Sequence, residues 1–171
     1  MKTKTINIYS FDELSESAKE TARNWFRDGM EYFIGSTEDA EQIGLNITEY
    51  DIYHQSIKGK FTQSAMSTMW AIEREHGEDC ETYRTAQQFK TAWAELVKKH
   101  SDGINTDIVT EDNQYEFDQE ADELEEEFLR ELLEDYLVMI RKDYEYQESD
   151  ECIDENIRIN EYEFTEKGKI A

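Results

Sequence analysis

The residues best suited to chemistry in this sequence form an acidic run. Seven of the ten residues from Asp118 to Glu127 carry carboxylates, and three more follow within two helical turns. The full set is Asp118, Glu120, Asp122, Glu123, Glu125, Glu126, Glu127, Glu131, Glu134 and Asp135. If the run is helical, ten residues rise about 15 Å and carry one charge per roughly 2 Å, close to the one per about 1.7 Å of duplex DNA.

A rod with this charge density can imitate a nucleic-acid backbone and occupy the basic groove of a nucleic-acid-binding protein. Attraction to a groove lined by Lys and Arg would speed association, and the affinity would fall steeply with salt. The ordinary alternative is a solvated helix face whose charge serves solubility alone. We predict that the ten residues are partner-binding residues.

The charge of the whole chain favours a cationic partner. The 171 residues include 42 Asp and Glu against 18 Lys and Arg, which leaves a formal net charge of −24. Residues 111–171 hold 23 acidic and 6 basic residues, whereas residues 1–110 hold 19 and 12. Because nucleic acids and anionic membranes repel such a chain, we expect no direct nucleic-acid partner and no membrane partner.

Catalytic and metal-binding patterns are weak. His76, Glu78, Asp79 and Cys80 cluster at the end of a predicted helix, but a zinc site usually has paired His or Cys ligands, and here there is one of each. The other two histidines are isolated and are read as surface or capping residues. No phosphate-binding loop, nucleophile elbow or H-E-x-x-H helix is present. We predict no enzyme activity, metal or cofactor, and keep a metal-dependent enzyme around His76 and Cys80 as a third hypothesis.

The composition predicts a folded protein. Hydrophobic residues make up 37% of the chain and aromatic residues 12%, which is more apolar surface than disordered acidic segments carry. No linker divides the sequence, so we expect residues 1–171 to form a single compact domain. Cys80 and Cys152 lie far apart without a CxxC pair or a secretory signal, which indicates reduced thiols and a cytoplasmic protein.

The acidic run requires a helix to position it. Apolar residues recur every three or four positions from about Phe117 to Glu148, which predicts one long helix with a single stripe on the core. The stripe consists of Phe117, Ala121, Leu124, Phe128, Leu132, Tyr136, Met139 or Ile140, and Tyr144.

The rest of the chain predicts α+β architecture, with a small antiparallel sheet packed with three or four helices, including the long acidic C-terminal helix. Ser15 is predicted to cap a helix whose core face includes Ala18, Ala22, Trp25, Phe26, Met30 and Phe33. Further helices are predicted at Gln63–His76, with Trp70 in its core stripe, and at Tyr83–His100. Strands are predicted at Thr5–Tyr9, Leu45–Tyr53, Ile57–Thr62 and Asn156–Phe164, an acidic connector at Ser36–Gln42, and a turn at EKGK before Ile170.

Both ends of the chain carry a resemblance to known proteins. The opening INIYSFDELSESAKETARNWF and the close NEYEFTEKGKI resemble a diffuse group of small phage and prophage proteins of mostly unassigned function. These motifs are structural and leave out the acidic helix. The resemblance implies a protein that acts in the cytoplasm of a bacterial host cell, in host takeover or counter-defence. In that setting, acidic proteins that imitate DNA block restriction enzymes and CRISPR effector complexes.

The two leading functional hypotheses belong to different classes of protein. The first is a non-enzymatic inhibitor that mimics nucleic-acid charge and blocks a nucleic-acid-binding surface of a basic host protein or complex, with a CRISPR effector as the leading target. The second is an antitoxin-like or other phage protein-binding module that recognises a basic protein through shape, without mimicry. The sequence leaves the oligomeric state open.

Overall fold

The computed structural model describes residues 7–101 and 109–171. In chain order its main elements are β1 (Tyr9–Ser10), α1 (Glu16–Gly29), α2 (Gly35–Gln42), β2 (Leu45–Asp51), β3 (Ser56–Phe61), α3 (Ala65–Glu75), α4 (Glu81–Lys99), α5 (Gln114–Glu148), α6 (Asp150–Ile159) and β4 (Glu163–Phe164). The predicted α+β class with a long C-terminal helix is confirmed. The described strands form two separate antiparallel pairs, β1 with β4 and β2 with β3, rather than one sheet.

The described residues group into two compact units. The terminal unit combines the chain up to Phe33 with Lys142–Ala171, and the central unit is Ile34–Arg141. Each has its own buried apolar cluster. The expectation of a single compact domain stays a prediction.

The terminal unit is built around α1. Ser15 caps this helix as predicted, because its Oγ accepts a hydrogen bond from the backbone N–H of Ala18 at 3.4 Å. Ala18 and Ala22 are buried, but Phe33 lies beyond the helix and is exposed, so its placement in the core face is wrong. Part of the strand predicted at Thr5–Tyr9 lies outside the described residues, and β1 begins at Tyr9.

The strand predicted at Asn156–Phe164 is wrong over most of its length. Ser149 caps α6, accepting from the backbone N–H of Cys152 at 3.2 Å, and the helix continues to Ile159. Ile153 and Ile157 are fully buried four residues apart, whereas Ile159 is 71% exposed. The helical spacing of the two buried isoleucines decided the structure, and the alternation from Ile157 to Ile159 was a coincidence.

The predicted turn at EKGK is present. Gly168 adopts φ +74° and donates its N–H to the carbonyl of Thr165 at 2.8 Å. Positive φ favours glycine at this position. The turn is followed by an isolated bridge between Phe164 and Ile170.

In the central unit the hairpin of β2 and β3 confirms the predicted strand pair, with Leu45 opposite Phe61. Helices α3 and α4 match their predictions to within two residues at each end. The connector predicted at Ser36–Gln42 is wrong, because these residues form α2, which buries Ala40. Trp70 is 56% exposed, so its predicted place in the core is also wrong.

Helix α5 carries the acidic run. Its buried positions include Ala121, Phe128, Leu132, Tyr136 and Ile140, which belong to the predicted stripe. Apolar residues four positions apart are offset by about 40° around the helix axis. The buried side therefore turns gradually around the helix along its length. The rings of Phe128 and Phe89 stack with centroids 4.3 Å apart and join α5 to α4.

Candidate acidic interface on the long helix

None of the ten predicted partner-binding residues is buried. Six are exposed, namely Asp118, Asp122, Glu123, Glu126, Glu127 and Glu134. Four are half-buried, namely Glu120, Glu125, Glu131 and Asp135. The helix therefore keeps its charge at the surface while its apolar stripe faces inward.

The ten carboxylates do not share one side of α5. Asp118 and Glu127 are nine residues apart, which places them on roughly opposite sides of the helix. Glu120, Glu123 and Glu127 border a groove between α4 and α5. The carboxylates that can act together are those that border this groove and the exposed Glu126 and Glu134 near them.

The groove is lined by carboxylates, by Lys99 and by apolar residues that include Leu96. Two adjoining cavities of about 380 and 190 Å³ share Ala92, Leu124 and Glu127. Glu95 of α4 borders the first cavity, and Glu131 borders the second. Sequence reasoning missed Glu95 because the signal was a run on α5, and no local pattern tells which helix packs beside it.

A second groove lies between α5 and the hairpin. Its cavity of about 520 Å³ is lined by apolar residues including Ile57 and Leu133. Glu126, Glu134 and Arg130 border it. Asp118, Asp122 and Glu125 line neither groove among those described.

Some of the charge is compensated. Lys99 contacts Glu120 at 2.6 Å, and Arg130 contacts Glu127 at 3.1 Å. The hydrogen bond from Lys99 holds the pKa of the Glu120 carboxyl below its usual value. Among the described residues no basic group pairs with Glu123, Glu126, Glu131 or Glu134, so no neighbouring cation competes with a partner for these carboxylates.

Asp135 points towards α4 rather than away from the protein. It accepts a hydrogen bond from the Thr85 hydroxyl at 2.7 Å. Burial raises the pKa of the Asp135 carboxyl, and the charges of Glu81 and Glu134 add to this effect. Asp135 therefore contributes less to an outward acidic surface than the other members of the run.

The four residues of the predicted histidine cluster differ in burial, because the His76 side chain is 7% exposed whereas Glu78, Asp79 and Cys80 are exposed. His76 contacts the Thr82 hydroxyl through Nδ1 at 2.7 Å, and its Nε2 lies 3.5 Å from Asp39 Oδ2. That same oxygen accepts a hydrogen bond from Tyr136 at 2.7 Å. Cys80 is exposed at the start of α4. Within residues 7–101 and 109–171, no group of three or more His, Cys, Asp or Glu side chains is arranged to hold a metal.

The remaining histidines occupy the two kinds of position expected. His54 is exposed at the hairpin turn, with Nδ1 2.7 Å from Asp51 Oδ2. The hydrogen bond that the ring donates to the Asp51 carboxylate raises the pKa of His54. His100 is the C-terminal capping residue of α4 and is buried, with Nε2 3.2 Å from Glu120.

Comparison with known proteins assigns no relative. No protein-family model matches the chain, and neither curated proteins nor solved structures supply a match. Of the helices described, none combines the length and the apolar character needed to cross a membrane. The site must therefore be interpreted from its own chemistry.

Proposed function

We propose that this chain is a non-enzymatic inhibitor that presents carboxylates of α5 in place of a nucleic-acid backbone. It would block a nucleic-acid-binding surface of a host defence complex, with a CRISPR effector as the leading target. The observation that carries the proposal is the row of four uncompensated surface carboxylates, Glu123, Glu126, Glu131 and Glu134, on a helix anchored by its apolar stripe. A rigid anionic surface suits a basic groove because little side-chain and backbone ordering remains to be done on binding.

The dimensions of the row agree with this role. From Glu123 to Glu134 the helix rises about 17 Å, the length of roughly five base pairs of duplex DNA. Glu95 adds a charge from α4 beside this row. The partner would meet acidic groups from two helices held by the stacked rings of Phe89 and Phe128.

The first experiment identifies the partner and tests the electrostatics together. The full chain is used for affinity capture from a defence-competent bacterial lysate at low and high salt. Mimicry predicts capture of a nucleic-acid-binding complex at low salt and its loss at high salt. Added DNA or guide RNA should displace the chain from that complex.

A charge variant tests the surface itself. Replacing Glu123, Glu126, Glu127 and Glu134 by Gln should abolish partner binding without unfolding the chain, because all four side chains are exposed. The matched control replaces four exposed acidic residues outside α5 by their amides, namely Glu38, Glu41, Glu78 and Asp79. Equal binding by the two variants would refute the proposed surface.

A protein-binding module without mimicry is the second candidate function. The apolar groove beside the hairpin, which includes Ile57 and Leu133, favours recognition through shape. Such a partner would remain bound when nucleic acid is added, whereas the four Glu→Gln substitutions do not discriminate, because Glu126 and Glu134 also border this groove. The competition experiment therefore separates the two functions.

A further inference from the structure

A separate cavity lies wholly in the terminal unit. It has a volume of about 350 Å³ and is lined by the aromatic side chains of Trp25, Phe26 and Tyr162, with Glu31 and Asn156 among its polar groups. Cavities of this size, with aromatic walls and a few polar groups, are suited to a small ligand or a single side chain. None of the ten acidic residues considered above lines it, so its role is independent of the proposed function.

The three rings form one aromatic cluster. The centroids of Trp25 and Tyr162 are 5.1 Å apart and their planes meet at 81°. Phe26 is 6.3 Å from Tyr162 and 6.4 Å from Trp25. The faces of such rings attract a cation that comes within about 6 Å of a ring centroid, and Trp does so most strongly.

The amide groups of α6 leave their oxygens available. Asn156 donates its side-chain N–H to the carbonyl of Cys152 at 2.8 Å, and Asn160 donates to the carbonyl of Asn156 at 2.8 Å. One N–H of each amide is therefore engaged by the helix. Among the described residues, neither amide oxygen accepts a hydrogen bond, and the carboxylate of Glu31 has no ion-pair partner. The cavity thus combines aromatic walls with hydrogen-bond acceptors, one of them charged.

We propose that this cavity binds an alkylguanidinium group. A guanidinium is planar, permanently charged and carries five N–H donors, so it can stack on an aromatic ring while donating to carboxylate and amide oxygens. The net charge of −24 favours a cation and opposes a phosphorylated ligand. The group can belong to an arginine side chain of another protein or to a free small guanidine.

Titration of the isotope-labelled full chain tests the proposal by NMR. The probes are N-acetylarginine methylamide, methylguanidine, and N-acetylcitrulline methylamide as a neutral isostere. The expected result is a saturable shift of the Trp25 indole N–H and of the Asn156 and Asn160 amide signals, at least about tenfold weaker with citrulline. Tighter binding of the arginine probe than of methylguanidine assigns the group to a protein side chain, and the reverse assigns it to a free guanidine.

Two single substitutions complete the test. Glu31→Gln should weaken binding about tenfold, because it removes the charged acceptor. Glu166→Gln removes the same charge from an exposed position that does not line the cavity, and it should leave binding unchanged. The proposal is overturned if no probe gives a saturable shift, if citrulline binds as tightly as arginine, or if the two variants bind alike.

Discussion

Replacing Gly168 by Ala gives the sharpest prediction about stability. Gly168 is buried and adopts φ +74°, where an L side chain is strained. A Cβ at this position would lie 2.7 Å from the carbonyl carbon of Ala18 and 3.0 Å from its Cα, and closer still to its carbonyl oxygen. The obstacle is helix backbone, which cannot rotate away as a side chain can.

The expected cost combines two effects. Carbon atoms in contact prefer about 3.5–4.0 Å, so the turn would have to move by roughly 1 Å from α1. Left-handed backbone costs a non-glycine residue about 1–2 kcal/mol, and overpacking of a tight contact adds about 1–3 kcal/mol. We expect Gly168→Ala to lower the free energy of unfolding of the terminal unit by about 3 kcal/mol.

Urea unfolding followed by the fluorescence of Trp25 measures this loss, in a background where the other two tryptophans are replaced by Phe. Gly29→Ala is the matched control, because a Cβ there meets no atom within 4 Å. We expect that control to be neutral or to stabilise α1 by up to about 1 kcal/mol. Stability of Gly168→Ala within about 1 kcal/mol of the parent chain would refute the close approach to Ala18.

Three further substitutions test individual contacts. Arg23 contacts Asp154 at 2.6 and 2.8 Å and lowers the pKa of that carboxyl. The ion pair therefore stabilises the folded state above about pH 4, and this stabilisation is lost as pH falls. Urea midpoints from pH 6 to 2 should therefore fall less for Asp154→Asn than for the parent, and parallel curves would contradict this. Asp135→Asn should raise the urea midpoint at neutral pH and not at pH 3. Burial raises the pKa of Asp135, so the folded state disfavours the ionised carboxyl that forms as pH rises from 3 to 7. An equal gain at both pH values would argue against burial of the charge. Tyr136→Phe should cost about 1–2 kcal/mol in urea unfolding through loss of the 2.7 Å hydrogen bond to Asp39, and an unchanged midpoint would contradict that contact.

Local patterns in the sequence predicted much of the fold. The cap at Ser15, the hairpin of β2 and β3, and the long acidic helix all depend on residues near each other in the chain. Such signals fail where two periodicities overlap. Ile157 and Ile159 suggested a strand, but the burial of Ile153 four residues before Ile157 gave a helix, a choice that needs the surrounding core.

The sequence by itself determined that this chain carries a dense, surface-exposed acidic helix, because charge and apolar spacing are local properties. Only the tertiary structure decided which carboxylates act together. The packing of α4 against α5 makes a groove that Glu120, Glu123 and Glu127 border, and it brings Glu95 beside them. The same holds for the aromatic cavity, which Trp25 and Asn156 both line although they are 131 positions apart in the chain. Long-range packing brings these residues together, and no periodicity in the local sequence encodes that packing.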